Sequence, residues 1–202
     1  MDSVDKVKDD RDLWFPAHLV TEHMEREEAT DEVISEEIWK PPYSGFYKCN
    51  VGGIWDKKKS IGGCAWVLRD EHGRVLLHSR RSFANLKSKE DVMIHSFLWS
   101  IESMADLHFS NVVFAIEALD LIKAVNKPGE WPAFTNQSDR LLSALEPIIG
   151  WKCLYEYPAA NRGADLFAQS AIRVVFSQSY LALSFPEWLR YLFESEMVHS
   201  SF

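Results

Sequence analysis

Three β-rich segments stand back to back between Gly45 and His78, with only a few residues of turn chemistry separating them. Gly45 to Val51 alternates around Phe46, Tyr47, Cys49 and Val51, and Ile61 to Leu68 is apolar and β-rich. Asp70-Glu71-His72-Gly73 then turns the chain into Arg74 to His78. Connections this short join antiparallel neighbours, because a parallel pair needs a crossover of a dozen residues or more. Beyond this meander the period changes. Lys89 to Leu107 sets Val92, Met93, Ser96, Phe97, Ser100, Ile101 and Met104 on one broad helical face. Val112 to Ile116 is a buried-strand run, and a short helix through Leu121, Ile122 and Val125 ends at Pro128-Gly129 and Trp131-Pro132. A helix from about Asn136 to Ile149, a strand through Trp151 to Tyr157 and a helix starting near Asn161 complete the pattern. Three hairpin strands followed by strand–helix alternation predict an α/β fold, a mixed five-stranded sheet with helices on both faces.

The change of texture at Trp39-Lys40-Pro41-Pro42 divides the chain, since proline restricts its predecessor and lacks an amide donor. Three parts are expected: an acidic, partly helical segment over 1–38, a domain over 39–178, and an aromatic tail over 179–202 packing on it. The tail carries Tyr180, Phe185, Trp188, Tyr191 and Phe193. The net charge of −8 is lopsided: 13 acidic and 4 basic residues precede Trp39, leaving 17 acidic and 18 basic in the rest. The domain is therefore close to neutral and shows no dense basic stripe of the kind that releases counterions from a phosphate backbone. No apolar run reaches the ~18 residues of a membrane span, and the first twenty residues are acidic rather than a basic, apolar signal. Cys49, Cys64 and Cys153 form neither a disulfide framework nor a metal knuckle. The expected setting is intracellular and reducing, nucleus and cytoplasm not being distinguished.

Several strings carry a resemblance. They are Trp39-Lys40-Pro41-Pro42 leading into Lys48-Cys49-Asn50-Val51, then Gly62-Gly63-Cys64-Ala65-Trp66-Val67-Leu68-Arg69-Asp70, then Asn161-Arg162-Gly163-Ala164-Asp165-Leu166-Phe167-Ala168, and the tail through Pro186-Glu187-Trp188-Leu189. Together, in this order and spacing, the chain resembles the ribonuclease H-like superfamily, in particular the plant RNase H type-1 domain group related to retroelement reverse transcriptases. The resemblance implies four carboxylates around two divalent metals, Mg²⁺ or Mn²⁺, because two hard cations held close together need anionic oxygen ligands.

Carried over residue by residue, that pattern is incomplete here. The position after Cys49-Asn50-Val51 is Gly52, and Asp56 stands four residues further on. Spacing on the first helix puts Met93 in the second place, a thioether unsuited to Mg²⁺. The third place falls on Glu117, one methylene longer than the family's Asp; a plain strand-end acid reads equally well. Asp165 matches the fourth place, and it also reads as a solvated acid in the first turn of a helix. Glu117 and Asp165 are thus the remnant catalytic and metal candidates, and no cofactor is expected.

Outside that pattern, Trp55 with Lys57 and Lys58 is a candidate nucleic-acid contact, the indole stacking on a base; a hairpin-capping Trp with solvated lysines is the alternative. His95 alone among the seven histidines is expected near Glu117 and Asp165. Three functions are open at this point. One is a non-catalytic RNase H-like module that binds RNA–DNA hybrid or RNA, or serves as a scaffold. The second is an RNA–DNA hybrid ribonuclease with a reduced metal site. The third is a protein-interaction domain whose partner docks on the acidic segment.

Overall fold

The computed structural model describes residues 38–174 and 178–199; the helix expected in the acidic segment lies outside them. β1 (Tyr47–Asp56), β2 (Ile61–Arg69) and β3 (Val75–Ala84) form the antiparallel meander. α1 (Lys89–Asp106) crosses over to β4 (Val112–Ile116), which pairs in parallel with β1. α2 (Leu119–Asn126) and α3 (Thr135–Leu145) lead to β5 (Lys152–Tyr155), parallel to β4. α4 (Pro158–Val174), β6 (Tyr180–Leu183) and α5 (Arg190–His199) finish the chain.

The sheet has six strands in the order β5-β4-β1-β2-β3-β6, where the sequence predicts five. The extra strand is the start of the aromatic tail, which pairs antiparallel with β3 from Leu77–Leu183 to Arg80–Tyr180. Its four residues carry no local strand signal of their own, so β3 defines it. β3 itself runs on to Ala84 rather than stopping at His78, because Arg80 and Arg81 extend it across β2.

Two physical details fix the connections. Gly73 sits at φ +79°, the left-handed turn conformation that a side chain disfavours. Asp70 Oδ1 accepts from the backbone amides of His72 and Arg74, tying down the same turn. At the start of α1, Ser88 is the N-cap, its Oγ accepting from the Asp91 amide at 3.0 Å.

Strand alternation assigns the two faces. Cys49, Val51, Trp66, Leu68 and Phe114 bury against Phe97, Ile101 and Met104 of α1 and against apolar residues of α2 and α3. Ala65 and Val67 bury against Ala164, Phe167 and Ala168 of α4, with Leu189 and Phe193 from the tail closing this side. On the α4 side the tail is held by a column of rings: His78 stacks on Phe167 at 4.3 Å, and Phe167 meets Phe193 at 6.2 Å. The three cysteines are buried small side chains, and burial pushes the Cys64 thiol up to about 12.

Arg69 is fully enclosed beneath this tail. Its guanidinium pairs with Glu196 and lies 4.3 Å from the Trp39 ring and 4.6 Å from the Phe193 ring. Burial pulls the Arg69 pKa down and pushes the Glu196 pKa up, each ion partly restoring the other. Removing one ion of such a pair strands the other in a dry site. Glu196→Ala is therefore expected to lower the unfolding free energy by about 3 kcal/mol in a denaturant titration; a loss under ~1 kcal/mol would show that Arg69 finds water instead.

Candidate functional site

In the first half of β1 the positions facing α4 are Lys48, Asn50 and Gly52, in contrast to the apolar Cys49 and Val51 on the other side. Lys48 and Asn50 are buried, so their polar groups need partners inside the protein. Trp39 Nε1 donates to Asn50 Oδ1 at 2.8 Å. Asn50 Nδ2 donates to Glu156 Oε2 and to Asn161 Oδ1, each at 3.1 Å. Asn161 Nδ2 in turn reaches the Val51 carbonyl at 3.0 Å and Glu117 Oε1 at 3.2 Å. Lys48 pairs with Glu156 and donates to the Lys40 carbonyl. A continuous hydrogen-bonded chain thus runs from the indole of Trp39 to the carboxylate of Glu117.

At the end of that chain the carboxyls of Glu117 and Asp165 meet. Asp165 comes from the third turn of α4, which begins at Pro158 rather than near Asn161, so it is not a first-turn acid; Glu117 is the residue after β4. Burial, then the hydrogen bond and charge of Glu117, raise the Asp165 carboxyl from 3.8 to about 8, while the Gly53 amide and the Lys89 charge pull weakly the other way. Two carboxyls this close cannot both ionise cheaply, so Asp165 keeps its proton near neutral pH.

Gly52 is more than a missing side chain. A Cβ placed there would lie 2.5 Å from both the carbonyl carbon and the oxygen of Ala164, and 2.8 Å from the Asp165 amide. One helical turn on, a Cβ at Gly63 would overlap the Ala168 carbonyl oxygen. Helix backbone therefore rests directly on strand backbone at two points, and the space an aspartate would need at 52 is filled. Met93 stands on the other face of the sheet, where a Cβ at Gly53 would meet its Sδ at 2.7 Å. Ser96, next on that helix face, donates to the Gly52 carbonyl at 2.6 Å.

The structure brings Glu117 and Asp165 together and leaves the other sequence candidates apart from them. Trp55 lies within β1 and Asp56 is its last residue. The Trp55 indole donates to the Leu86 carbonyl at 3.3 Å and packs beside Leu86 and Val92. Lys57 and Lys58 are exposed in the turn that Asp56 caps by accepting from the Lys58 and Lys59 amides. His95 faces Phe83, not the acid pair, its Nδ1–H donating to the Asp91 carbonyl at 2.7 Å. Asn50, Asn161, Glu156 and Trp39 are site residues that the four-carboxylate pattern does not include. The available signal was an asparagine in the middle of a buried strand.

A two-metal centre does not fit these residues. Gly52 is covered by helix backbone, Met93 offers a soft sulfur, and the two remaining carboxyls are bonded to one another. Among the described residues no three His, Cys, Asp or Glu side chains group closely enough to hold a metal ion.

A six-stranded mixed sheet in this order, with α1 on one face, α4 on the other and paired acids where α4 meets β4, defines a ribonuclease H-like fold. Residues 50–171 match the family described as reverse transcriptase-like, and the chain belongs to that family. RNase H1 from the archaeon Halobacterium salinarum superposes with a TM-score of 0.57 at 17% identity, covering 64% of this chain and 99% of its own. The N-terminal RNase H domain of a Mycobacterium tuberculosis protein gives 0.55 at 13% identity, covering 64% of this chain and 94% of its own. LC11-RNase H1, solved in complex with RNA/DNA hybrid, gives 0.54 at 12% identity, covering 63% and 97%. At these identities the likeness is one of fold. No curated protein matches the sequence.

Two outcomes are expected from this geometry. Gly52→Ala should destabilise the fold by about 1–3 kcal/mol in chemical denaturation, because backbone rather than a flexible side chain must move. The raised Asp165 pKa sets the second. The neutral acid's contribution is fully present below the unfolded value and is lost as pH rises through about 8. Asp165→Asn does not titrate, so its stability relative to the natural chain should improve from about pH 4 to about pH 9. The relative stability should rise steadily across that range, and a pH-independent difference would show that the fold does not hold Asp165 protonated.

Proposed function

We propose that this domain binds nucleic acid without cleaving it, as a ribonuclease H-like module that has given up the two-metal reaction. The observation that carries the reading is the closure of α4 onto Gly52: the first carboxylate position is occupied by the Ala164 carbonyl. Met93 in the second position and the hydrogen bond between Asp165 and Glu117 act in the same direction. Phosphodiester hydrolysis needs preorganised positive charge at the attacking and leaving oxygens, and these side chains cannot assemble it. What remains is a rigid hydrogen-bonded junction, Trp39–Asn50–Asn161–Glu117, that positions the N-terminal half of α4 against the sheet.

Support for a nucleic-acid partner comes from the fold, since one structural neighbour is described in complex with an RNA/DNA hybrid. The near-neutral charge of the chain beyond residue 38 accords with modest, salt-sensitive affinity rather than tight binding. Glu117 and Asp165 act here as structural acids, and neither Mg²⁺ nor Mn²⁺ is required.

The test is incubation of the full chain with a labelled RNA–DNA hybrid in Mg²⁺ and then Mn²⁺, with a gel shift on the same substrate. The expected result is a shift that weakens with salt, no cleavage, and no rise of melting temperature on adding either metal. Cleavage abolished by Asp165→Asn would overturn the reading in favour of a reduced-site ribonuclease. Absence of any shift would overturn it in favour of a protein scaffold.

A further inference from the structure

A groove of about 280 Å³ lies between α4, β3 and the tail, lined by Arg80, Leu166, Gln169, Ser170, Arg173 and Trp188. Among the described residues no carboxylate lines it. Its two cations come from different elements, Arg80 from β3 and Arg173 from the last turn of α4. Arg80 is oriented by its bond to the Ser170 hydroxyl, which itself donates to the Phe167 carbonyl. The acid Glu187, next to Trp188 in the chain, is occupied by Arg190, whose Nε donates to Oε1 and Nη2 to Oε2.

Aromatic faces border the same groove. Trp188 is 53% exposed and is held edge-wise against the buried Phe167 ring, 5.7 Å away at 70°. Tyr180 is directly cross-strand from Arg80 and is 51% exposed. Among the described residues, five of the eight exposed large hydrophobics, Tyr180, Leu181, Leu183, Trp188 and Tyr191, fall in this short tail, a density that marks an interaction surface.

Guanidinium groups beside immobilised rings suit a ligand that carries a charge and a flat face on one unit. The groove is smaller than the ~300–1,000 Å³ pocket of a free small molecule, so it suits one unit of a longer chain. A base inside a duplex is already stacked and cannot reach Trp188, whereas an unpaired base can. We infer that the groove between α4 and the tail binds single-stranded nucleic acid, a phosphate lying between Arg80 and Arg173 and a base stacking on Trp188. This rests on the nucleic-acid reading above and names a surface for it that is separate from Glu117 and Asp165.

The experiment measures binding of fluorescein-labelled U15 and dT15 to the full chain by anisotropy across a salt series. Arg173→Ala, Trp188→Ala and Trp188→Phe are compared with the natural chain, each checked by circular dichroism. Trp188→Ala should weaken binding about 10-fold and Trp188→Phe should largely retain it. Arg173→Ala should reduce the salt slope by about 0.7, the value for one phosphate contact on a single strand. An abasic oligonucleotide of the same length should bind as weakly to the natural chain as U15 does to Trp188→Ala. If U15 binds but all three variants match the natural chain, the groove assignment is overturned while the nucleic-acid reading stands. Equal competition by polyglutamate also overturns it, in favour of acidic peptide. If the natural chain binds neither U15 nor the hybrid, both readings fall together.

Discussion

The contact on which this structure depends is backbone against backbone. α4 approaches β1 and β2 so closely at Gly52 and Gly63 that no Cβ fits between them. The alanines at 164, 168 and 171, all fully buried, continue that approach along the helix. Helices and sheets ordinarily keep apart by the thickness of their side chains. Here the separation is set by carbonyl oxygens, and everything on that side of the sheet is positioned from it. Asp165 is brought to Glu117, Asn161 to the Val51 carbonyl, and Gly163 to the Phe193 ring that covers Arg69.

A close approach of this kind leaves little room for water, and the polar side chains along β1 compensate by bonding to each other. Lys48, Asn50, Asn161 and Glu156 form a network whose members are each nine-tenths or more buried. Such networks are stabilising only when their members are partnered. Here the Trp39 indole, the Lys40 carbonyl and the Val51 carbonyl supply partners that the four side chains do not supply among themselves. Trp39, just ahead of the two prolines, therefore belongs to the interior.

Much of this fold was legible in the sequence because its signals are local. Turn residues at Asp70–Gly73, the helical spacing from Val92 to Met104 and the apolar run Val112–Ile116 each announce one element, and their order leaves few sheets to choose from. The sixth strand was not legible, since Tyr180–Leu183 is a strand only by virtue of its pairing with β3. The same limit applies to the site. The identities at 52, 93, 117 and 165 can be read against a family pattern, and Glu117 with Asp165 do meet. The height of a helix above a sheet is not written at any one position. Gly52 therefore read as an absent ligand when it is a filled contact, and His95 read as a neighbour of the acids when its helix turns it toward Phe83. The small residues at 52, 63, 164 and 168 carried the information, but only as a set.

The seating of α4 on Gly52 also ties distant parts of the fold to one spacing. Asn161, Phe193 and the buried Arg69 are all packed to the helix height that a glycine at 52 permits. A lone aspartate there would push against all of them at once, because the atoms it meets first are backbone and cannot swing aside. The glycine works as a keystone: a side chain can be added at that position only if several neighbours change with it.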